Sequence, residues 1–469
     1  MPVDTEKADY KAYFDIWAKC RAVVEGQEAI HAEGHTFLPG LSGQDNDDYN
    51  SYLTRTMFYG ATQRTVDAMT GLLFRKTPVF NYPDSVNAWM NDIDLNGNSI
   101  FAFAEELAGE LLKVGRFGLL VEHPENVIET GQITQAEAEN NNIRPFFAAY
   151  TAENIINWKV ITINNQKFLS MVVLREYSEK SVDEFEIEAD LQYRVLDLDE
   201  EGAYRQRVYV ANEKDEFYLQ RTIYPLQNGQ KMRFIPFIIL GAKGINADIV
   251  KPPILDLVNV NLSHYRTTAD LEHGAHYTGL PTAVITGHRI GENERLRIGS
   301  ATAWVFAEPE ADAKYLEFTG QGLAALEKRL EHKENQMAAL GARMLASEKR
   351  EAETAETHII KRVGENSALA SIAQCMDMGI TKALNIMFEW GGVAGEFYFE
   401  INKDFIPSKM AGADLLALFT VYQGGGMGFS DFIENLQKGE IIDPEKTPEQ
   451  IREEIDNSGG GLGAFNADA

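Results

Sequence analysis

One stretch, from Pro252 to Leu345, constrains the chain more than any other. It reads as two long helices with a lobe inserted between them. Pro252 and Pro253 open the first helix, because proline suits the first helical turn, where its missing N–H is no loss. Apolar or stacking residues then recur as Leu255, Val258, Leu262, Tyr265 and Ala269, in steps of three and four. Gly279 supplies the left-handed stop. The second helix begins near Gln321. Leu323, Leu326, Leu330, Met337, Leu340 and Met344 keep the same steps, with Lys333 at the skipped position. Each helix of about 25 residues spans roughly 37 Å. Equal lengths predict an antiparallel pair, and the narrow seams predict neighbours at coiled-coil-like angles. The lobe, 281–320, then projects from one shared end. At the far end of the second helix lies a highly charged stretch, Ser347 to Thr357, almost free of large apolar residues.

The rest of the chain sets bounds. At 469 residues it exceeds what one hydrophobic core serves, so two to four sub-structures are expected. The longest apolar runs, such as Phe237 to Leu240, fall far short of a membrane span. The N-terminal residues carry no signal-peptide core. Cys20 and Cys375 are too few for a cysteine-built zinc site or a disulfide framework, and they fit a reducing cytoplasm or an assembly made there. Net charge is −28, from 43 basic and 71 acidic residues. Such a balance opposes a surface that grips nucleic acid, which needs phosphates neutralised by Lys and Arg. It does not oppose a surface past which nucleic acid slides.

In chain order, residues 5–33 read as helical. Asp45-Asn-Asp-Asp48 reads as a loop and helix start, since the spacing and distal Glu of a calcium loop are missing. Asp48 to Leu73 reads as a second helix and 100–114 as a third. Gly115 to Pro124 is a turn into a strand and not a phosphate loop, because no helix follows. From 145 to 241 the period changes to two. Phe185, Ile187, Ala189, Leu191, Tyr193 and Val195 alternate with polar residues, the pattern of a half-buried strand. Asn164-Asn165, Glu201-Gly202 and Asn228-Gly229 read as hairpin turns, so this region is an antiparallel meander. A helix over 358–390 carries Leu369, Ile372, Met376, Ile380 and Met387. A strand (397–401) and short helices follow, and the tail from Ser458 is Gly-rich.

Chemistry-bearing motifs are scarce. No P-loop, His-Glu-x-x-His or Gly-x-Ser-x-Gly is present. The best cluster is His264, Glu272, His273 and His276. Two of its histidines could ligate zinc with outside help, but a polar stripe at a subunit contact is the simpler reading. The charged bend reads first as a solvated helix end. Composition and period therefore predict an α+β chain with a long helical spoke and no catalytic constellation, which fits a structural part of an assembly better than an enzyme.

Several stretches sharpen this. They are Leu53-Thr-Arg-Thr through Thr65-Val-Asp-Ala-Met-Thr-Gly-Leu-Leu-Phe-Arg-Lys-Thr-Pro78; Val114-Gly-Arg-Phe-Gly-Leu-Leu-Val121; Asn154-Ile-Ile-Asn-Trp158; Pro253-Ile-Leu-Asp-Leu through Tyr265-Arg, Asp270-Leu-Glu-His-Gly and Gly279-Leu-Pro-Thr282; Gln336-Met-Ala-Ala-Leu-Gly-Ala-Arg-Met-Leu345; and Glu353-Thr-Ala-Glu356. In their content and order the chain resembles the portal proteins of tailed bacteriophages, from about residue 20 to 455. The resemblance implies a portal-type fold: an α/β wing (1–252), a stem helix (253–279), a small α/β clip (280–320), a second stem helix (321–346), a tunnel loop (347–357), a long wing return helix and strand (358–410), and a helical crown with its tail (411–469). It implies no cofactor and no metal. It further implies a ring, typically dodecameric, at one capsid vertex of the virion, assembled in the host cytoplasm among major capsid and scaffold proteins. The ring would be a head-tail connector passing double-stranded DNA during packaging and ejection. The clip would meet terminase and later the head-tail adaptor, with Arg289, Glu292, Arg295 and Arg297 as candidate docking residues. Glu348, Lys349, Arg350, Glu351 and Glu353 would face the DNA in the tunnel loop. Leu255, Val258, Leu262, Tyr265, Leu323, Leu326, Leu330 and Met337 would pack against neighbouring stems. The polar faces of Glu327, Lys328, Glu331 and Glu334 would line a neighbour or the channel. An acidic lining repels phosphate over a screened reach of about 8 Å, so passing DNA would be held by few contacts; Lys349 and Arg350 are the candidates. Alternative readings are another head or tail structural protein, such as an adaptor or scaffold component, and a metal-dependent hydrolase at the histidine cluster.

Overall fold

A computed structural model of the chain describes residues 2–124, 141–181, 183–279, 282–287, 309–316, 321–342, 355–403, 412–439, 441–442 and 446–457. The fold is α+β, and the chain divides into two compact units, Met1–Asn402 and Lys403–Ala469.

The first unit opens with α1 (Ala8–Glu25), which buries Tyr10, Trp17, Cys20, Val23 and Val24 along a helical stripe. Gly26, at φ 105°, turns the chain into α2 (Gln27–Glu33). α3 (Asn46–Arg55) starts at Asp45, whose side chain accepts from the Asp48 amide at 2.8 Å. The acidic run is thus a helix cap, which satisfies one of the orphan amides of the first turn. α4 spans Ala61–Leu73. The sequence predicts one helix across both; the structure breaks it at 56–60. Thr56 is extended, with ψ 125°. Its carbonyl meets His31 Nε2 at 3.1 Å, and the Phe58 amide donates to Gln27 Oε1 at 3.2 Å. Contacts from α2, absent from local sequence, hold this break.

After β1 (Val79–Asn81) and the short α5 (Asn87–Met90), α6 (Ile100–Lys113) begins at Ser99, whose hydroxyl accepts from the Ala102 amide. β2 (Arg116–Glu122) is buried along nearly its whole length. It is the central strand of a three-stranded sheet, between β11 (Phe237–Gly241) and β3 (Phe146–Thr151). Its continuous apolar run fits burial on both faces. Gly118 is required there, because a Cβ would lie 2.4 Å from Phe237 Cζ.

Between them runs the meander: β4 (Ile155–Ile163), β5 (Gln166–Ser181), β6 (Ile187–Leu198), β7 (Tyr204–Ala211) and β8 (Phe217–Ile223), antiparallel and in sequential order. Asn164 and Asn165 both have positive φ, as a two-residue primed turn demands. The Asn228-Gly229 turn joins a small ribbon, β9 (Leu226–Gln227) with β10 (Gln230–Lys231).

α7 (Leu255–Gly279) follows, then β12 (Thr282–Thr286), β13 (Asp312–Leu316), α8 (Gln321–Met337) and α9 (Ala355–Trp390). α9 buries Leu369, Ile372, Met376, Ile380, Leu384 and Met387, and packs on β2, β11 and α6. β14 (Tyr398–Glu400) pairs with β1 across more than 300 residues of sequence.

Three arginines, one of them fully buried, tie this unit together. Arg21 bridges Glu110 and Glu153, each at 2.6 Å. Arg194 pairs with Glu122 and Glu176. Arg116 lies over the Trp158 ring at 4.2 Å and donates to Ala247 O at 3.0 Å. Burial lowers its pKa to about 10, and the charge of Asp248 works against that shift.

The second unit is helical: α10 (Gly412–Gln423), α11 (Phe429–Lys438) and α12 (Pro448–Asn457). Ile433, Leu436 and Ile451 form its core, and Tyr422 stacks on Phe432 at 4.4 Å.

Candidate functional site

α7 and α8 pair antiparallel. Gly274 lies beside Leu323 near one end, and Leu257 packs with Met337 near the other. The absence of a side chain at Gly274 sets the spacing, since a Cβ would sit 2.8 Å from Leu323 Cδ2. The two helices are held by polar groups as well. Lys333 occupies the one skipped place in the apolar row of α8. Its ammonium donates to Ser263 O at 2.7 Å and to Thr267 Oγ1. Desolvation lowers its pKa, with Arg329 adding to the effect. Next to it, His264 Nε2 lies 3.5 Å from a Glu334 oxygen. Burial pushes the His264 pKa down and outweighs the pull of Glu334.

α7 also organises the N-terminal helices. Asn261 is fully buried. Its Oδ1 accepts from the Thr62 amide (3.2 Å) and hydroxyl (2.7 Å), and its Nδ2 donates to Tyr59 O at 2.9 Å. The N-terminus of α4, preceded by Gly60 with no side chain of its own to offer, is thus capped from another helix. The Tyr52 hydroxyl donates to Asp270 at 3.0 Å, and the Arg266 guanidinium to Phe37 O at 2.8 Å.

These contacts cover part of the seam within the one chain. Val258, Leu262, Tyr265 and Met337 are buried inside the one chain. Tyr265 stands edge-on to Phe58, with ring centres 5.7 Å apart. Met337 packs with Ala61 and Leu257. α1, α3 and α4 pack on α7 around them. Leu255, Leu323, Leu326 and Leu330 are only half-buried. The outward face of α8 is charged: Glu327, Lys328, Arg329, Glu331 and Glu334 are exposed.

At the end of α8 the helix widens over Ala338–Ala342, and Gly341 takes φ 122° beside Met69 of α4. The regular helix runs to Met337 and the widened turn to Ala342; the expected end at 346 lies outside the described residues. Glu348, Lys349, Arg350, Glu351 and Glu353 lie outside the described residues, as do Arg289, Glu292, Arg295 and Arg297. At the other end, β12 and β13 form a two-stranded antiparallel sheet, with Thr282 opposite Leu316 and Thr286 opposite Asp312.

The histidine cluster does not converge. His264 faces Tyr59 and Glu334, while His273 stands edge-on to Tyr52. Among the described residues no group of three or more His, Cys, Asp or Glu is placed to hold a metal ion. No described helix is long and apolar enough to cross a membrane. Neither the Asn261 cap nor the arginine bridges were among the expected features. A lone Asn in an apolar helix stripe, and an Arg opening an apolar strand, were the signals available.

Comparison with known proteins places these helices in context. Residues 253–391 match the model of a domain of unknown function (DUF4055). That match begins at the start of α7 and ends just after α9. No curated protein matches the sequence. Among solved structures, the chain is similar to a protein in the neck of an empty GTA particle, at 12% identity and TM-score 0.38, covering 89% of this chain and 99% of that one. It is likewise similar to a chain of the virion of a native gene transfer agent (GTA) particle, at 13% identity, TM-score 0.40 and the same coverage. A third, from the neck of the native GTA particle, has 13% identity and TM-score 0.36, covering 88% and 98%.

Proposed function

We propose that the chain is a portal subunit, one copy in a ring at a single vertex of a phage-like head. Double-stranded DNA would pass through the ring on packaging and ejection. The observation that carries the reading is the order and pairing of four elements. An antiparallel helix pair, α7 and α8, carries a small β-sheet, β12 with β13, at one end. A kink at Gly341 lies at the other, and the charged stretch follows it in the sequence. A 36-residue helix then returns into the body. The sequence motifs that resemble portal proteins run in the same order.

In this reading α7 and α8 are the stem, the 280–320 segment the clip, 347–357 the tunnel loop, and the C-terminal helices the crown. The clip would dock terminase and then an adaptor. The net charge of −28 supports the reading physically. A basic wall would bind DNA through counterion release and arrest it, whereas an acidic wall lets it slide. The exposed charged face of α8 is the surface proposed to meet either the channel or the next stem.

Two tests follow. Electron micrographs of the purified protein should show rings with a central hole; compact particles without a hole would reject the proposal. Lys349→Ala with Arg350→Ala should leave rings intact and alter DNA retention or packaging. A double variant that makes no rings would identify the bend as a structural joint instead.

A further inference from the structure

β5 and β6 form the longest hairpin of the meander, and only half of it is covered. On one face, Val173 and Arg175 of β5 stand opposite Val195 and Tyr193 of β6, and Tyr177 stands opposite Leu191. Ala189 and Ile187 continue that face outward. At the inner end the face is buried: Val173, Tyr193 and Val195 are each at most 4% exposed. At the outer end it is bare. Tyr177 is 64% exposed and Ile187 65%, and Phe185 beside them is 88% exposed. The alternation that predicts a half-buried strand therefore continues past the point where the described residues supply cover. Glu184, Glu186, Glu188 and Asp190 surround these apolar groups and are exposed. The tip is apolar with an acidic collar.

The other end of the same sheet carries the complement. A groove of about 770 Å³ runs between the β4–β5 turn, the segment before β11, and α9. Its floor includes Ile235, Phe237, Ile239 and Ile386, all buried. Its lip is formed by Val160, Ile161, Ile163, Phe168 and Phe234, each between 37% and 49% exposed. Lys7, Lys167, Arg233 and Lys382 also line it, against a single acid among the described residues, Asp248. Four cations around one groove stand out in a chain of net charge −28. Among the described residues, Lys167 and Lys382 have no ion-pair partner.

The tip of a chain cannot reach its own groove. Phe168 and Tyr177 are nine residues apart on one strand, about 30 Å at the usual rise, and Phe185 lies beyond Tyr177. We infer that the β5–β6 tip of one copy seats in the basic-lipped groove of the next copy. Phe185 and Ile187 would enter the apolar floor, and Glu184 and Glu186 would meet Lys167 and Lys382. Two different patches at opposite ends of one sheet make a head-to-tail contact, which closes into a ring when the rotation allows. The inference rests on the ring reading and specifies one of its contacts. Charge opposite charge around an apolar anchor sets orientation as well as attraction.

Sedimentation velocity on the full chain tests it with two variants. The tip variant is Phe185→Asp with Ile187→Asp, and the groove variant is Ile163→Asp with Phe168→Asp. All four positions are exposed, so both variants should keep the wild-type circular dichroism spectrum and melting curve. Each alone should lose at least about tenfold in its fraction of rings at dilute concentration, as loss of central anchors does. Each retains the half that the other lacks, so mixing them should restore pairs while rings stay scarce. If both variants form rings like the wild type, the contact is wrong and the portal reading stands. If only the groove variant loses rings, another segment fills the groove and the tip assignment fails. If the mixture does not pair, the complementarity fails. A wild-type chain that forms no rings rejects the portal reading itself.

Discussion

α7 and α8 share the same apolar spacing, yet they play different parts. α7 is buried around much of its girth: Leu257, Val258, Asn261, Leu262, His264, Tyr265, Thr267 and Ala269 are all buried. α8 has one fully buried apolar side chain, Met337; Leu323, Leu326 and Leu330 are half-buried, and its outward face is charged. The first helix is a frame on which α1, α3 and α4 assemble; the second is a splint with a free face. Similar periodicity therefore does not mean similar burial. An apolar row says that cover is needed, and its supplier depends on what else packs there.

Substitutions along the two helices should separate these roles. Tyr265→Ala should have the largest effect, since a fully buried aromatic leaves a cavity worth about 3–5 kcal/mol. Leu330→Ala on α8, half-buried, should lose about 1 kcal/mol by the apolar area removed from water. Equal losses in chemical denaturation would erase the distinction between frame and splint. Asn261→Ala should fall between them, at about 1–3 kcal/mol, because it leaves the Thr62 and Tyr59 backbone groups buried and unpaired.

The smallest effect concerns pH. The His264 pKa is held below its ordinary value by burial, so the unfolded chain takes up that proton first. Stability then falls as pH drops through about 6.5, and levels off below the folded value. His264→Gln should flatten this part of the pH–stability curve; an unchanged slope would move the proton uptake to other groups.

Much of this was legible in the sequence. The period-two meander and its Asn-Asn and Asn-Gly turns are set by neighbours in sequence, and so are the stripes of α7 and α9. The break between α3 and α4 was not, because no glycine or proline marks it before Gly60. It is held by His31 and Gln27 from a separate helix. Asn261 interrupts an apolar stripe, but its partners are about 200 residues away and no local pattern names them. Nor could alternation alone show that the strand stays covered at Tyr193 and bare at Ile187. That depends on where the rest of the unit ends.

The central claim is that copies of this chain close side by side into a ring. Native mass spectrometry of the purified full-length chain tests it most directly. The expected result is a closed species at a whole-number multiple of the 52.5 kDa subunit, typically near twelve copies, with few intermediates. A single 52.5 kDa species persisting at high concentration would contradict it.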